Sequence, residues 1–556
     1  MAAAKIENVG LLLVHGIGEQ KKLEHLRCTA GEFASALSGR PDVVRMALID
    51  QTDDKDFPEI IVDAKLSDGK RHVRFHLHEV WWADLGFRGG FLEQARFWSW
   101  GLGQWAEETF FRTKYRSNTR ELMVLPRFGT QEDRMERPGF RRRAPTRLVL
   151  FLSALFALLT LLSWSLARRL VSFFSKRLPD PALIVMFLGD VRNYTRSGGP
   201  GKGTLEDPDM PIRTTIRRRM VSAMVKMADG GHDRWYVLAH SLGSVLAFNA
   251  LQEPEVALPN YLSEHQWKKV SPHLKTTSPY VPPEAKANLN QMMPRRPTWL
   301  KDHDGIGREA LFEHLRGFVT YGCPLDKFAA LWPKIVPLNR QSAVFPKSSE
   351  WVNLYDTTDP VGARLDAFPA LRRHRGSARE KIALTPHNVA CRASLAFLLS
   401  HIRYFTPRRR LRHASVPAAM FDAIADNSSL TKAADIIAVG PVKAGVRWII
   451  ARVQVFAAAL LVLIPATALL ISIGAQLSGW KLSACPSITD IGSGACRDLL
   501  WLRYKLVLAA ITFAVIIAGA LRAFFFDLLV KARIDGISFP RSRRRSRAPR
   551  SPGAGR

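Results

Sequence analysis

Several things are scarce in this 556-residue chain, and each scarcity excludes something. It has five cysteines and no Cys-x-x-Cys pair, so the spacing that builds a structural zinc site is missing. Acidic residues are under-represented, 49 Asp+Glu against 80 Lys+Arg, a net charge of +31. Such a surface does not suit cationic partners; it favours anionic membrane faces or nucleic acid. The first apolar run, Val9–Val14, is six residues long, shorter than the apolar region of a secretory signal. It reads as a buried strand instead.

Long uncharged runs are present. Residues 148–167 carry no charge over twenty residues, 453–477 over twenty-five, and 506–521 over sixteen. A spanning helix needs about 20 apolar residues. The last two read as a transmembrane hairpin, with Pro465 tolerated inside the first leg and Arg522 snorkelling at the end of the second. Arginines cluster before the hairpin (408–412, Arg447, Arg452) and after it (541–550), while the loop 478–505 has four basic residues. The positive-inside rule therefore expects both termini and the soluble part in the cytoplasm, at a membrane such as a bacterial inner membrane. Cys485 and Cys496 would then share the outer compartment, where a disulfide can form. The basic residues beside the membrane segments account for much of the positive charge, which leaves nucleic-acid binding resting on net charge alone.

The soluble remainder, 1–140 and 181–405, alternates short apolar strands with helical patterns. Strands are expected at 9–14, 72–80, 183–189, 235–239, 316–321 and 351–355, and helices at 211–228, 242–252 and 387–402. That order expects an α/β fold with a largely parallel sheet. Residues 141–180 read as a membrane-associated insertion, 254–310 as a lid-like insertion without clear periodicity, 406–446 as a basic linker, 447–530 as the hairpin and 531–556 as a basic tail.

One stretch carries chemistry. In "LAHSLGSVLAFNA" (238–250), Ser241 follows an apolar strand and precedes a helical run, with Ala239 and Gly243 two residues to either side. This is the strand-to-helix elbow that exposes a nucleophilic serine, with Ala where the motif carries Gly. A hydroxyl needs a base, a group that orients the base, and donors for the oxyanion. The amides of Leu242 and Ile17 are the expected donors, the latter in "HGIGEQ" (15–20), where His15, Gly16 and Gly18 shape the loop after strand 9–14. His240 adjoins the serine. The acid is expected in "DTTDPVG" (356–362), with Asp359 preferred to Asp356. The base is expected at His387, in "TPHNVA", over His374 and His401.

With these residues in place, the chain resembles the α/β-hydrolase superfamily on its lipase/esterase side, and in particular the DDHD-type intracellular phospholipases. The likeness is carried by "VHGIG" (14–18), "GDVRNY" (189–194), "HSLGS" (240–244), "TYGCPLDKF" (320–328) and "NLYDTTDPVGARLD" (353–366). It implies an α/β-hydrolase sheet flanked by helices, serine hydrolysis of a lipid ester through an acyl-enzyme, and no metal or organic cofactor. The alternative is a non-catalytic membrane scaffold on the same fold that binds anionic lipid or a protein partner.

Other patterns carry less. His72, His76 and His78 alternate along one strand face and read as solvated rather than metal-binding. "SGGPGKGT" (197–204) lacks the Ser/Thr that follows the lysine of a phosphate-binding loop. Trp98, Trp100 and Trp105 suit a membrane interface or core packing equally.

Overall fold

In the computed structural model the chain divides into two compact units, Met1–Leu470 and Ile471–Arg556. The residues it describes all lie in the first: 6–17, 21–51, 57–66, 71–85, 190–195 except 192, 211–277, 294–326 except 295, 328, 335–336, 345–359, 361–365, 384–394, 399–404, and 416–450 except 441 and 448. The three long uncharged segments, the strand expected at 183–189, the glycine-rich stretch 197–204 and the tryptophan-rich stretch 87–111 lie outside them.

An eight-stranded, mostly parallel sheet organises this unit. Its strands are β1 (Ile6–Val14), β2 (Val43–Gln51), β3 (Glu59–Leu66), β4 (His72–Val80), β5 (Arg234–His240), β8 (Leu315–Tyr321), β9 (Glu350–Tyr355) and β10 (Pro386–Ala390). A second sheet pairs the two-residue strands β6 (Lys275–Thr276) and β7 (Gly305–Ile306). The large sheet runs β10-β9-β8-β5-β1-β4-β3-β2. The six strands from β10 to β4 are parallel, and β3 alone opposes its neighbours. Central strands β1 and β5 carry buried, mainly apolar runs at Val9–Val14 and Trp235–Ala239 because both faces are covered there, as parallel sheets require.

Alternate residues feed two cores. Leu12, Val14, Val237 and Ala239 pack beneath helices Ile212–Asp229 and Leu242–Leu251. Leu11, Leu13, Tyr236 and Leu238 face the other side, with helices Glu24–Ser38 and Val416–Ala425. There Phe33 meets Phe75 and Phe421 edge-to-face, each at 4.6 Å between centroids.

β1 and β5 pair directly, with Val14 opposite Ala239. The stretches before and after residues 86–189 therefore build one sheet. Three readings need correction. The helix expected over 387–402 is instead strand β10 followed by a short helix, Leu399–Ile402. Part of 254–310 is ordered structure, with a capped helix at Glu264–Lys269 and the β6–β7 pair. The stretch expected as a linker, 406–446, carries helices Val416–Ala425 and Leu430–Ile436, whose Met420, Phe421, Ile424 and Leu430 are buried. Among the described residues no helix is long and apolar enough to cross a membrane.

Candidate active site

The site forms where the parallel strands end, since every loop leaving their carboxyl edge starts on the same side of the sheet. β5 ends at His240, and Ser241 turns the chain into helix Leu242–Leu251 with φ 52° and ψ −126°. A non-glycine residue with positive φ is costly, and such strain concentrates at functional sites. Backbone bonds hold it in place: Ser241 N–H donates to Tyr321 O at 3.0 Å, and Ser244 N–H to Ser241 O at 3.0 Å.

The turn works because two glycines let backbones approach. A Cβ on Gly16 would lie 2.8 Å from Ser241 Cβ and 2.8 Å from His240 Nδ1. A Cβ on Gly243 would lie 2.3 Å from His15 O and 2.7 Å from Val14 O. The loop after β1 is thus pressed directly against the serine. Ile17 is half-buried next to Gly16, and Leu242 is buried at the start of the helix. Gly18 lies outside the described residues. Ala239 fits because its side chain sits in the core with full burial.

His15 braces this loop. Its Nδ1–H donates to Gly16 O at 2.7 Å, and its Nε2 accepts Trp82 N–H at 3.1 Å. Trp82 also stacks on the ring at 5.0 Å and donates its indole N–H to His15 O. Both nitrogens are used by a neutral ring. Burial, and secondarily the charge of His25, push its pKa down to about 3.

Ser241 Oγ lies 2.8 Å from His401 Nε2. His401 Nδ1 faces both oxygens of Asp359, at 3.1 and 3.0 Å. The carboxylate can only accept, so Nδ1 carries the proton and Nε2 is left to accept from the serine. All three groups are buried, Ser241 and Asp359 almost completely. Burial alone would raise the Asp359 pKa. The His401 charge and hydrogen bond and the amides of Val361 and Gly362 outweigh it and hold the carboxyl well below the usual range. Tyr404 Oη donates a further bond to Asp359 Oδ2 at 2.8 Å.

The residue expected as base is elsewhere. His387 lies on β10 with its Nε2 2.8 Å from Asp435, a half-exposed pair. The reason is strand alternation: its neighbour Asn388 is the side chain that turns towards Asn353 on β9, at 2.9 Å. His401 takes the position facing Ser241. His374 lies outside the described residues.

Asp356 serves a different purpose from Asp359. Its Oδ1 accepts the amide and hydroxyl of Thr358, and its Oδ2 accepts the amides of Ala393 and Ser394. Buried Arg447 completes the set, 2.6 Å from Asp356 Oδ2 and 2.7 Å from Ser394 O. The loop that presents Asp359 is thereby tied to a helical segment ninety-one residues later.

Two further residues from the quoted motifs, His240 and Gly322, pack against His401. His240 Nε2–H donates to His401 O at 2.8 Å and its ring packs 4.9 Å from the His401 ring. Burial, then the nearby His401 charge, lower its pKa to about 3, so it acts as a neutral spacer. Gly322, at φ 59°, leaves room for the His401 and Tyr404 rings, which a Cβ there would meet at 3.1 Å.

The histidines on β4 serve the sheet. His76 bonds Glu59 at 3.1 Å, His72 bonds Asp63, and buried His78 stacks on Phe57 at 4.0 Å. Among the described residues no group of His, Cys, Asp and Glu is arranged to hold a metal ion.

Chemically, the serine–imidazole–carboxylate chain can take the serine proton as its oxygen attacks an acyl carbon, and return it to a leaving group. No family model, curated protein or solved structure matches the chain.

Proposed function

We propose that the chain is a membrane-anchored serine ester hydrolase of the α/β-hydrolase type, acting on a lipid ester. The observation that carries this reading is the continuous hydrogen-bonded chain from Ser241 through His401 to Asp359, set at a strained strand-to-helix turn.

Ser241 Oγ attacks the ester carbonyl while His401 Nε2 takes its proton. Asp359 stabilises the imidazolium and keeps the ring oriented. The amides of Ile17 and Leu242 receive the oxyanion. As the intermediate collapses, the ester C–O bond breaks and the alcohol leaves with the proton from Nε2. Water then gives a proton to the same nitrogen, attacks the acyl-serine, and releases a carboxylic acid and free Ser241. This chemistry uses no cofactor. Ser241 is buried, so an ester and then water reach it only as neighbouring groups move aside.

Support for a lipid substrate comes from the sequence. Residues 453–477 and 506–521 have the length and apolarity of a hairpin anchor, and basic clusters on both flanks suit an anionic cytoplasmic leaflet. Because β1 pairs with β5, the chain before and after 148–167 belongs to one sheet, which does not suit a single membrane crossing between them.

Full-length protein in lipid nanodiscs, assayed on a short-chain p-nitrophenyl ester and a phospholipid panel, tests this. Hydrolysis should vanish in Ser241→Ala. Undiminished hydrolysis in that variant, or none by the wild type on any ester, contradicts the proposal and favours the scaffold alternative.

A further inference from the structure

The helical residues 442–447 and 449–450 are built inside out. Val442, Val446, Ile449 and Ile450 are exposed, at 77%, 51%, 47% and 39%. The opposite face buries Ala444 and the charged Arg447. At about 100° per residue, the four apolar side chains fall within an arc of roughly 100°. A water-facing helix would show the reverse pattern, with its charge outward and its aliphatic residues packed.

The buried face is firmly placed. Arg447 bonds Asp356 and Ser394 O, and Thr357 Oγ1 donates to Ala444 O at 3.0 Å. The exposed stripe is therefore presented by the body of the protein.

We infer that this stripe docks on the surface of a lipid bilayer. The occupant is indicated by continuity: two residues after Ile450, past Arg452, the chain enters the twenty-five uncharged residues 453–477. Exposed Lys443 borders the stripe, and with Arg452 it places positive charge where anionic headgroups lie. The inference rests on the reading that 453–477 enters a bilayer. Because Arg447 joins the back of this helix to the loop of Asp356 and Asp359, docking would set the catalytic acid at a fixed height above the membrane.

Photocrosslinking of the full-length protein tests it. p-Benzoylphenylalanine is placed at position 446, at 450, or at 44, an exposed valine on β2 (71%) that serves as control. Each protein is reconstituted in phosphatidylcholine–phosphatidylglycerol vesicles carrying an alkyne in the acyl chain. Irradiation should give lipid adducts at 446 and 450 several-fold above those at 44. Lipid labelling no higher than at 44, or adducts to the protein's own chain or a second copy in place of lipid, overturns the inference. Fluorophosphonate labelling at Ser241 verifies the fold of each variant. Should the wild type fail to label, the hydrolase reading falls, while the lipid adduct still decides docking.

Discussion

Tyr404 Oη sits between two aspartates of one loop, donating to Asp359 Oδ2 at 2.8 Å and accepting the Asp356 N–H at 2.8 Å. In the proposed mechanism it is a positioning residue, since it would act through Asp359. Tyr404→Phe keeps the ring but removes both bonds, at about 1–3 kcal/mol for the buried groups left unpaired. Turnover of a soluble ester should fall roughly tenfold or more, a 1.4 kcal/mol loss. The acid limb of its pH profile should move upward, because a carboxylate with one donor fewer attracts the imidazole proton more strongly. An unchanged profile with lowered melting temperature would show that Tyr404 serves packing only.

Gly16 and Gly243 should differ in what they report. Gly16→Ala pushes a methyl against Ser241 and His240, so esterase activity should drop by about 10²-fold, as for displaced catalytic geometry, with modest loss of stability. Gly243→Ala pushes a methyl against two backbone carbonyls, which cannot swing aside. Its chief effect should be on folding, about 1–3 kcal/mol or more in denaturant titrations.

Arg447 and Asp356 form a buried pair, and breaking one partner strands the other. Arg447→Met should cost about 3–5 kcal/mol. Asp356→Asn in the same chain removes the stranded charge. A double-mutant cycle by chemical denaturation should therefore show strong coupling, whereas additive losses would mean that the two residues act independently.

The buried histidines predict an acid-sensitive fold. His15 and His240 fall to about 3, His25 and His78 to about 4, all chiefly through burial, against an ordinary 6.5. Below pH 6.5 the unfolded chain binds protons that the folded chain refuses. Their stabilisation is complete above 6.5 and shrinks as pH falls, by about 1.4 kcal/mol per pH unit for each group. Glu79 opposes this in part. Burial raises it to about 7, so its contribution weakens as pH rises from 4.5 to 7. Four groups outweigh one, and the melting temperature should fall steeply between pH 6 and 4. A flat profile there would contradict the buried neutral rings.

Much of this architecture was legible beforehand. The β1, β4, β5, β8 and β9 strands stand out as short apolar or alternating runs, and the serine turn announces itself through Ala239, Ser241 and Gly243. Asp359 was recoverable because it lies just past the end of β9. The base was not. "PHNVACRASLAFLLSHI" has enough apolar residues for one helix, and only pairing with β9 turns its first five residues into a strand that faces His387 away. β2 escaped because it is an edge strand exposed along most of its length, with no buried face to impose alternation. Helices 416–425 and 430–436 were masked by the arginines before them, although their own faces are apolar.

The central claim is that Ser241 is activated by His401, which Asp359 orients. It is tested most directly by the rate of fluorophosphonate labelling in full-length wild type, Ser241→Ala, His401→Ala and His387→Ala. The account predicts labelling of the wild type, none in Ser241→Ala, a loss of at least 10³-fold in His401→Ala, in the range for removing a triad member, and a near-wild-type rate in His387→Ala. A full rate in His401→Ala, or labelling that persists without Ser241, would contradict it.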